Sequence, residues 1–156
     1  MTSQPSRIAF LRERVEAAER AAGRQTFDVP FRQRSQPLVK IDVPIGFPLY
    51  NVNSGRTHRA QRAWIEEQNR PSNFFGDPED DEVQTVQHAL LKEMIDLRNL
   101  AEDLQNRQQR NAIVLTYDGF IVDGNRRVAA LREAGDVENA VAVVLPSDAT
   151  APEVYE

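Results

Sequence analysis

Two arginines set behind a glycine and an asparagine, in the run Asp118-Gly119-Phe120-Ile121-Val122-Asp123-Gly124-Asn125-Arg126-Arg127, are the residues of this chain best suited to chemistry. That chemistry is anion binding. The apolar residues before Gly124, and Val128-Ala129-Ala130-Leu131 after it, predict a strand that feeds a helix at the glycine. The first backbone N–H groups of such a helix lack acceptors and the helix dipole there favours negative charge, so phosphate is the natural occupant. Gly124 lets a ligand approach the backbone, Asn125 offers a cap or an amide, and the guanidiniums of Arg126 and Arg127 can fork onto phosphate oxygens. Arginine at a helix N-terminus opposes the dipole, which argues for a ligand at this place. Spacing alone leaves a second reading open, in which Asp118-Gly119 makes a hairpin, Gly124 ends a strand, and the arginines pair with Asp123, Glu133 or Asp136.

Other groups could complete such a site. Asp123, one residue from the turn, is the best-placed carboxylate for a Mg²⁺ ion brought by a nucleotide and for a catalytic role; its alternative is a helix cap or an ion pair with Arg126 or Arg127. Asn51, Asn53, Arg56, His58 and Arg59 form a second polar cluster, which the residues by themselves allow as a turn with solvated arginines. His58 and His88 have no further ligand at metal spacing, so no zinc site is expected. Gln84, Gln87 and His88 share a helix face that could reach a base or ribose, and are otherwise surface residues. Trp64, Phe74 and Phe75 could stack on bases, but Trp64 sits on an amphipathic face and core packing is the expectation.

The elements that must position these groups follow from periodicity. Ile8, Leu11, Val15 and Ala18 recur at helical spacing, predicting an N-terminal helix over Ser6 to Ala22 that ends near Gly23. Arg24 to Pro37 has neither period and is expected as a linker arm over the surface. Leu38 to Ile45 reads as a strand, Pro48 to Thr57 as a loop, and Thr57 to Asn69 as a short helix with Ala60, Ala63, Trp64 and Ile65 inward. An acidic stretch then leads into a helix from Glu82 to Leu97, marked by Val83, Val86, Leu90 and Met94, with a polar helical piece over Leu100 to Gln109. Ala112 to Tyr117 and Phe120 to Val122 form a hairpin around Asp118-Gly119, a short helix carrying Val128 to Arg132 is closed by Gly135, and Val141 to Leu145 supplies the last strand. The class is α+β: a small mixed β-sheet with surrounding helices and an extra N-terminal helix. The division is 1–37, helix and arm, and 38–150, the domain proper.

Composition narrows the function. With 40% hydrophobic and 28% charged residues among 156, the chain reads as a globular protein with one core and no membrane span, and nothing at Met1 to Ile8 looks like a secretory signal, so the expected location is cytoplasmic. The absence of cysteine excludes disulfides, thiolate nucleophiles and Cys-zinc sites. A formal charge of −5 argues against a surface that coats nucleic acid generally, while leaving room for a local arginine strip.

The string from Asp118 to Leu131 resembles the signature of the ParB/sulfiredoxin superfamily, which includes the ParB-like nuclease domains. The resemblance spans roughly Leu38 to Leu145 and is sharp over Asp118 to Leu131. It implies a fold of helices around a small mixed sheet, and a strand-turn-helix at Gly124 to Arg127 that wraps nucleotide phosphates, with Ala129 and Ala130 packing the helix close. It also implies that the segment bearing Asn51 and Arg56 completes the pocket. The implied function is a nucleotide-binding module for ATP or CTP with Mg²⁺, extending to NTP hydrolysis, in a DNA-related system such as partition, phage defence or a mobile element. Alternatives are a ParB-like metal-dependent DNA nuclease, a non-catalytic interaction domain whose first helix docks on a protein partner or a second copy, and small-molecule phosphoryl transfer as in ParB-like serine kinases. Partition proteins carry Glu where this chain has Asn125, and sulfiredoxins carry Cys there, so peroxiredoxin repair is excluded. The helix-turn-helix DNA reader of partition proteins is not found in these residues.

Overall fold

A computed structural model describes residues 3–31, 34–95, 112–135 and 137–149. Helix α1 (Gln4–Arg20) opens the chain, capped by the Ser3 hydroxyl, which accepts from the Ser6 N–H, with a proline in its first turn, where a missing N–H costs nothing. The hairpin β1 (Thr26–Phe31) and β2 (Arg34–Val39) follows, then β3 (Ile41–Pro44). Helix α2 (His58–Glu67) and a 3₁₀ turn (Phe74–Gly76) lead to α3 (Asp81–Glu93). Strands β4 (Ile113–Leu115) and β5 (Ile121–Asp123), helix α4 (Asn125–Ala134) and strand β6 (Asn139–Val144) complete the described elements.

The central sheet has the order β3-β6-β4-β5, with β6 and β4 parallel and the two outer pairings antiparallel. It is mixed because β5 and α4 together carry the chain from β4 back to its neighbour β6, the kind of connection parallel strands require. Alternation along each strand sorts the side chains to two faces. Ile41, Val43, Ile113, Leu115, Ile121, Ala140 and Ala142 meet Leu11 of α1, Leu91 of α3 and Val128 to Leu131 of α4 on one face. On the other, Val114 and Val143 pack with Val29, Phe27 and Leu38 of the β1–β2 hairpin. Both faces are covered, which is why Ala112-Ile113-Val114-Leu115 is apolar without a break and buried throughout.

The structure corrects the expectation of a linker arm over Arg24 to Pro37. That segment is most of an antiparallel hairpin, paired from Thr26 with Val39 to Phe31 with Arg34, and it covers the second face of the sheet. Its prolines, Pro30 and Pro37, broke the expected strand pattern; a two-stranded ribbon tolerates them because each strand has an unpaired edge. The expected strand over Leu38 to Ile45 is likewise divided at Lys40, whose N–H donates to the Gln25 carbonyl at 2.8 Å. Helix α3 begins at Asp81 under the Asp80 carboxylate, which accepts from the Glu82 and Val83 N–H groups. The expected continuation to Leu97 and the polar piece from Leu100 to Gln109 lie outside the described residues. Among the described residues no helix is long and apolar enough to cross a membrane.

Candidate functional site

The expected hairpin into α4 is present. Thr116 to Gly119 make a turn, the Gly119 N–H donating to the Thr116 carbonyl at 3.0 Å and the Thr116 N–H to the Phe120 carbonyl at 2.8 Å. Gly119 takes φ +93°, the left-handed residue that a turn-plus-bulge hairpin needs at this place. The Asp118 carboxylate is held from two sides, by the Thr116 hydroxyl at 2.5 Å and the Gln4 amide at 3.2 Å. Leu49 runs beside the edge strand, its N–H donating to the Gly119 carbonyl and its carbonyl accepting from the Ile121 N–H. The loop after β3 is thereby fastened to the turn.

At Gly124 the backbone reverses into α4 with φ +119°, and no side chain caps the helix. A Cβ here would lie 3.4 Å from the Ile113 side chain, in a conformation that L side chains rarely adopt. Gly124→Ala is therefore expected to lower stability by about 1–2 kcal/mol in urea denaturation. Gly46→Ala, with no heavy atom near the added carbon, serves as control and stays within about 0.5 kcal/mol. Equal effects at the two glycines would remove the argument that Gly124 is needed for its backbone.

The predicted site residues divide into a structural pair and an exposed set. Asn125 and Asn51 are brought together: the Asn125 Oδ1 accepts from the Asn51 N–H at 3.1 Å and its Nδ2 donates to the Asn51 carbonyl at 2.9 Å. The side-chain amide of Asn125 thus imitates a strand partner and clips the loop to the first residue of α4. Asn51 in turn accepts the Asn53 N–H on its Oδ1. Arg126 is exposed and Arg127 half-buried in the first turn of α4, which holds no acidic residue. Glu133, one of the carboxylates that could have paired with these arginines, is instead engaged by His88 at 2.6 Å and Lys92 at 3.4 Å. Asp123 is exposed at the end of β5. Arg56 is exposed on the turn before α2, and no described hydrogen bond or ion pair joins it to α4. Among the described residues no group of three or more His, Asp or Glu side chains could hold a metal ion.

The α3 face of Gln84, Gln87 and His88, expected either to reach a base or ribose or to be surface, is bonded to other parts of the chain. Gln87 is fully buried, donating to the Thr57 hydroxyl and accepting from the Gln61 amide at 2.9 Å, while Gln61 also donates to the Val52 carbonyl. Gln84 accepts the Tyr50 N–H and donates to the Tyr50 and Pro78 carbonyls. These amides hold the 50–57 loop in one geometry, and among the described residues no buried side-chain nitrogen or oxygen lacks a partner. Tyr50, absent from the sequence-based candidates, is the hub: its ring is fully buried under the Arg132 guanidinium, 4.7 Å away, and its hydroxyl bonds the His88 Nδ1 at 2.6 Å. Burial raises the Tyr50 pKa to about 12, Arg132 partly offsetting the shift, so the hydroxyl stays neutral. With that hydroxyl donating to Nδ1, the His88 Nε2–H faces the Glu133 carboxylate at 2.6 Å, and this hydrogen bond holds the carboxyl below its ordinary value with help from Lys92.

Trp64, Phe74 and Phe75 depart from the core-packing expectation. Their rings cluster at 4.6 to 6.0 Å between centroids with Arg70 over Trp64 and Phe74, half-buried and outside the two core clusters. The Arg70 guanidinium is also tied to Glu82 at 2.7 Å. Comparison of the chain with protein-family models, with curated proteins and with solved structures finds no match.

Proposed function

We propose that this chain is a ParB-like nucleotide-binding module, its α+β fold a version of the ParB/sulfiredoxin one, and that the turn from Gly124 to Arg127 receives the phosphates. The observation that carries the reading is the start of α4: uncapped, without an acidic residue in its first turn, entered through a glycine at φ +119°, and bearing Arg126 and Arg127. Backbone N–H groups, the helix dipole and two guanidiniums all favour the same charge there. Asn125 acts in this reading as the positioning residue, its amide committed to Asn51, rather than as a ligand of the phosphates. Asp123 would hold Mg²⁺, since its carboxylate is exposed beside the turn and Mg²⁺ with a nucleotide needs only one or two carboxylates besides phosphate oxygens. The ion would neutralise phosphate charge. Turnover of ATP or CTP, and a place in partition, phage defence or a mobile element, extend the same reading.

Calorimetry with ATP, CTP, GTP and ADP, with and without Mg²⁺, tests it. Arg126→Ala and Arg127→Ala are each expected to weaken binding by about tenfold or more, the loss of a charge-assisted hydrogen bond, and the double variant to abolish it. No binding of any nucleotide to the folded protein at millimolar concentration would sink the proposal.

A further inference from the structure

Where α1, β2 and the end of β6 come together lies a groove of about 420 Å³, to which α4 contributes no residue. It opens because the β3–β6 ladder stops early. In that ladder Ile41 stands opposite Ala142, and the same register carried onward would set Val39 opposite Val144 and Pro37 opposite Pro146. The last pair has no N–H on either side and cannot close. Instead the Lys40 N–H donates to the Gln25 carbonyl, and the residues before it leave the central sheet to pair with β1 as β2. Beyond Ala142, β6 keeps β4 on one side, the Leu145 N–H reaching the Leu115 carbonyl at 2.9 Å, and among the described residues it pairs with no strand on the other.

We propose that this groove takes an extended apolar segment of a partner protein, ending in a basic residue, which adds as a strand to the free edge of β2. Leu38 packs on one face of the sheet and Val39 on the other, yet both line the groove together with Pro37. The groove therefore meets the edge of β2 and not one of its faces. That edge carries pairing groups: Lys40 is bonded on the β1 side, to Gln25, so alternation turns the Val39 N–H and carbonyl and the Pro37 carbonyl away from β1. Another strand matches groups at that spacing. The wall formed by α1 is apolar through Ile8, Leu11 and Val15. It runs from Ile8 to Glu19, about 16 Å at the helical rise, which is the length of about five extended residues. On the rim of that wall the Arg12, Glu16 and Glu19 side chains are exposed and make no hydrogen bond or ion pair among the described residues. Two carboxylates against one guanidinium favour a cationic end on the incoming segment.

Selection of a random heptapeptide library, displayed on phage, against the whole chain tests the proposal. Enriched sequences should be apolar over most positions and end in Lys or Arg. A synthetic peptide of the leading sequence then serves as the probe in calorimetry. Methylating one alternate set of its backbone nitrogens should weaken binding about tenfold or more, and methylating the other set should leave it nearly unchanged, since a strand bonds its neighbour through every second residue. Glu16→Arg with Glu19→Arg, at two exposed positions of α1, should cost the same peptide about tenfold. Exchanging the basic residue of the peptide for glutamate should restore its binding to that double variant. The proposal is overturned if no peptide is enriched over uncoated beads, if the two methylated sets do not differ, or if the charge reversal has no effect. A native chain that sedimentation finds dimeric until both glutamates are reversed also overturns it, for the occupant is then a second copy.

Discussion

Replacing Arg7 with alanine is expected to lower the free energy of unfolding by about 3–4 kcal/mol, in the range of large-to-small changes at buried positions and of buried ion pairs broken from one side. Arg7 is 1% exposed although it sits on a helix whose other arginines face water. Its Nε donates to the Asp118 carbonyl at 2.8 Å, a terminal nitrogen donates to Glu79 Oε1 at 2.7 Å, and its guanidinium lies 5.6 Å from the Phe120 ring centroid. One side chain from α1 thereby ties the β4–β5 turn to the segment that leads into α3. The two ends of this bridge are unequal. Glu79 keeps 41% of its side chain exposed, so solvent screens the pair and Glu79→Gln should change stability by less than about 1 kcal/mol. The Asp118 carbonyl and the volume around Phe120 have no such recourse. Arg7→Met, which restores the apolar stem but no donor, should fall between the two. Urea denaturation of the three variants measures the order. An Arg7→Ala protein no less stable than Glu79→Gln would show that the bridge does not hold the turn.

Arg7 also illustrates where sequence stops being informative. Helix α1 is legible from Ile8, Leu11, Val15 and Ala18, and α4 from Gly124, Gly135 and the apolar run between, because periodicity and terminal glycines are local signals. Nothing local distinguishes Arg7 from Arg12 or Arg14; its burial depends on a carbonyl 111 residues away. The same holds for Asn125, whose amide partner is 74 residues distant, and for His88 and Glu133, 45 apart. Such polar side chains look like surface until topology supplies their partners. The arginine turn is visible as a motif, but the bridge between Leu49 and Phe120 that fastens the loop after β3 beside it is not. The hairpin over Thr26 to Val39 was missed for a different reason. Its strands pack only one side, and prolines interrupt the half-apolar pattern that would have marked them.

Tyr50 carries the second large effect, and it is a pH effect. The buried hydroxyl titrates near 12 in the folded protein against 10 for an ordinary tyrosine. A group whose pKa is raised by folding lends its full stabilisation below the unfolded value and loses it as pH climbs to the folded one. Between pH 10 and 12 the unfolded chain ionises Tyr50 while the native state keeps it protonated. The fold should therefore lose about 3 kcal/mol over that window from this residue alone, at 1.36 kcal/mol per unit. Tyr50→Phe removes the titration. It also removes the hydrogen bond to His88, a cost of about 1 kcal/mol at neutral pH. The two stability curves should consequently cross: the phenylalanine protein is the less stable at pH 8 and the more stable near pH 12. Other ionisations at high pH act on both proteins and cancel in the difference, so urea denaturation at matched pH values isolates Tyr50. Curves that stay parallel from pH 8 to 12 would mean that the hydroxyl reaches solvent before the protein unfolds. The hub would then yield locally, and the hydrogen bonds from Tyr50 through His88 to Glu133 could not be what holds the 48–52 loop against α4.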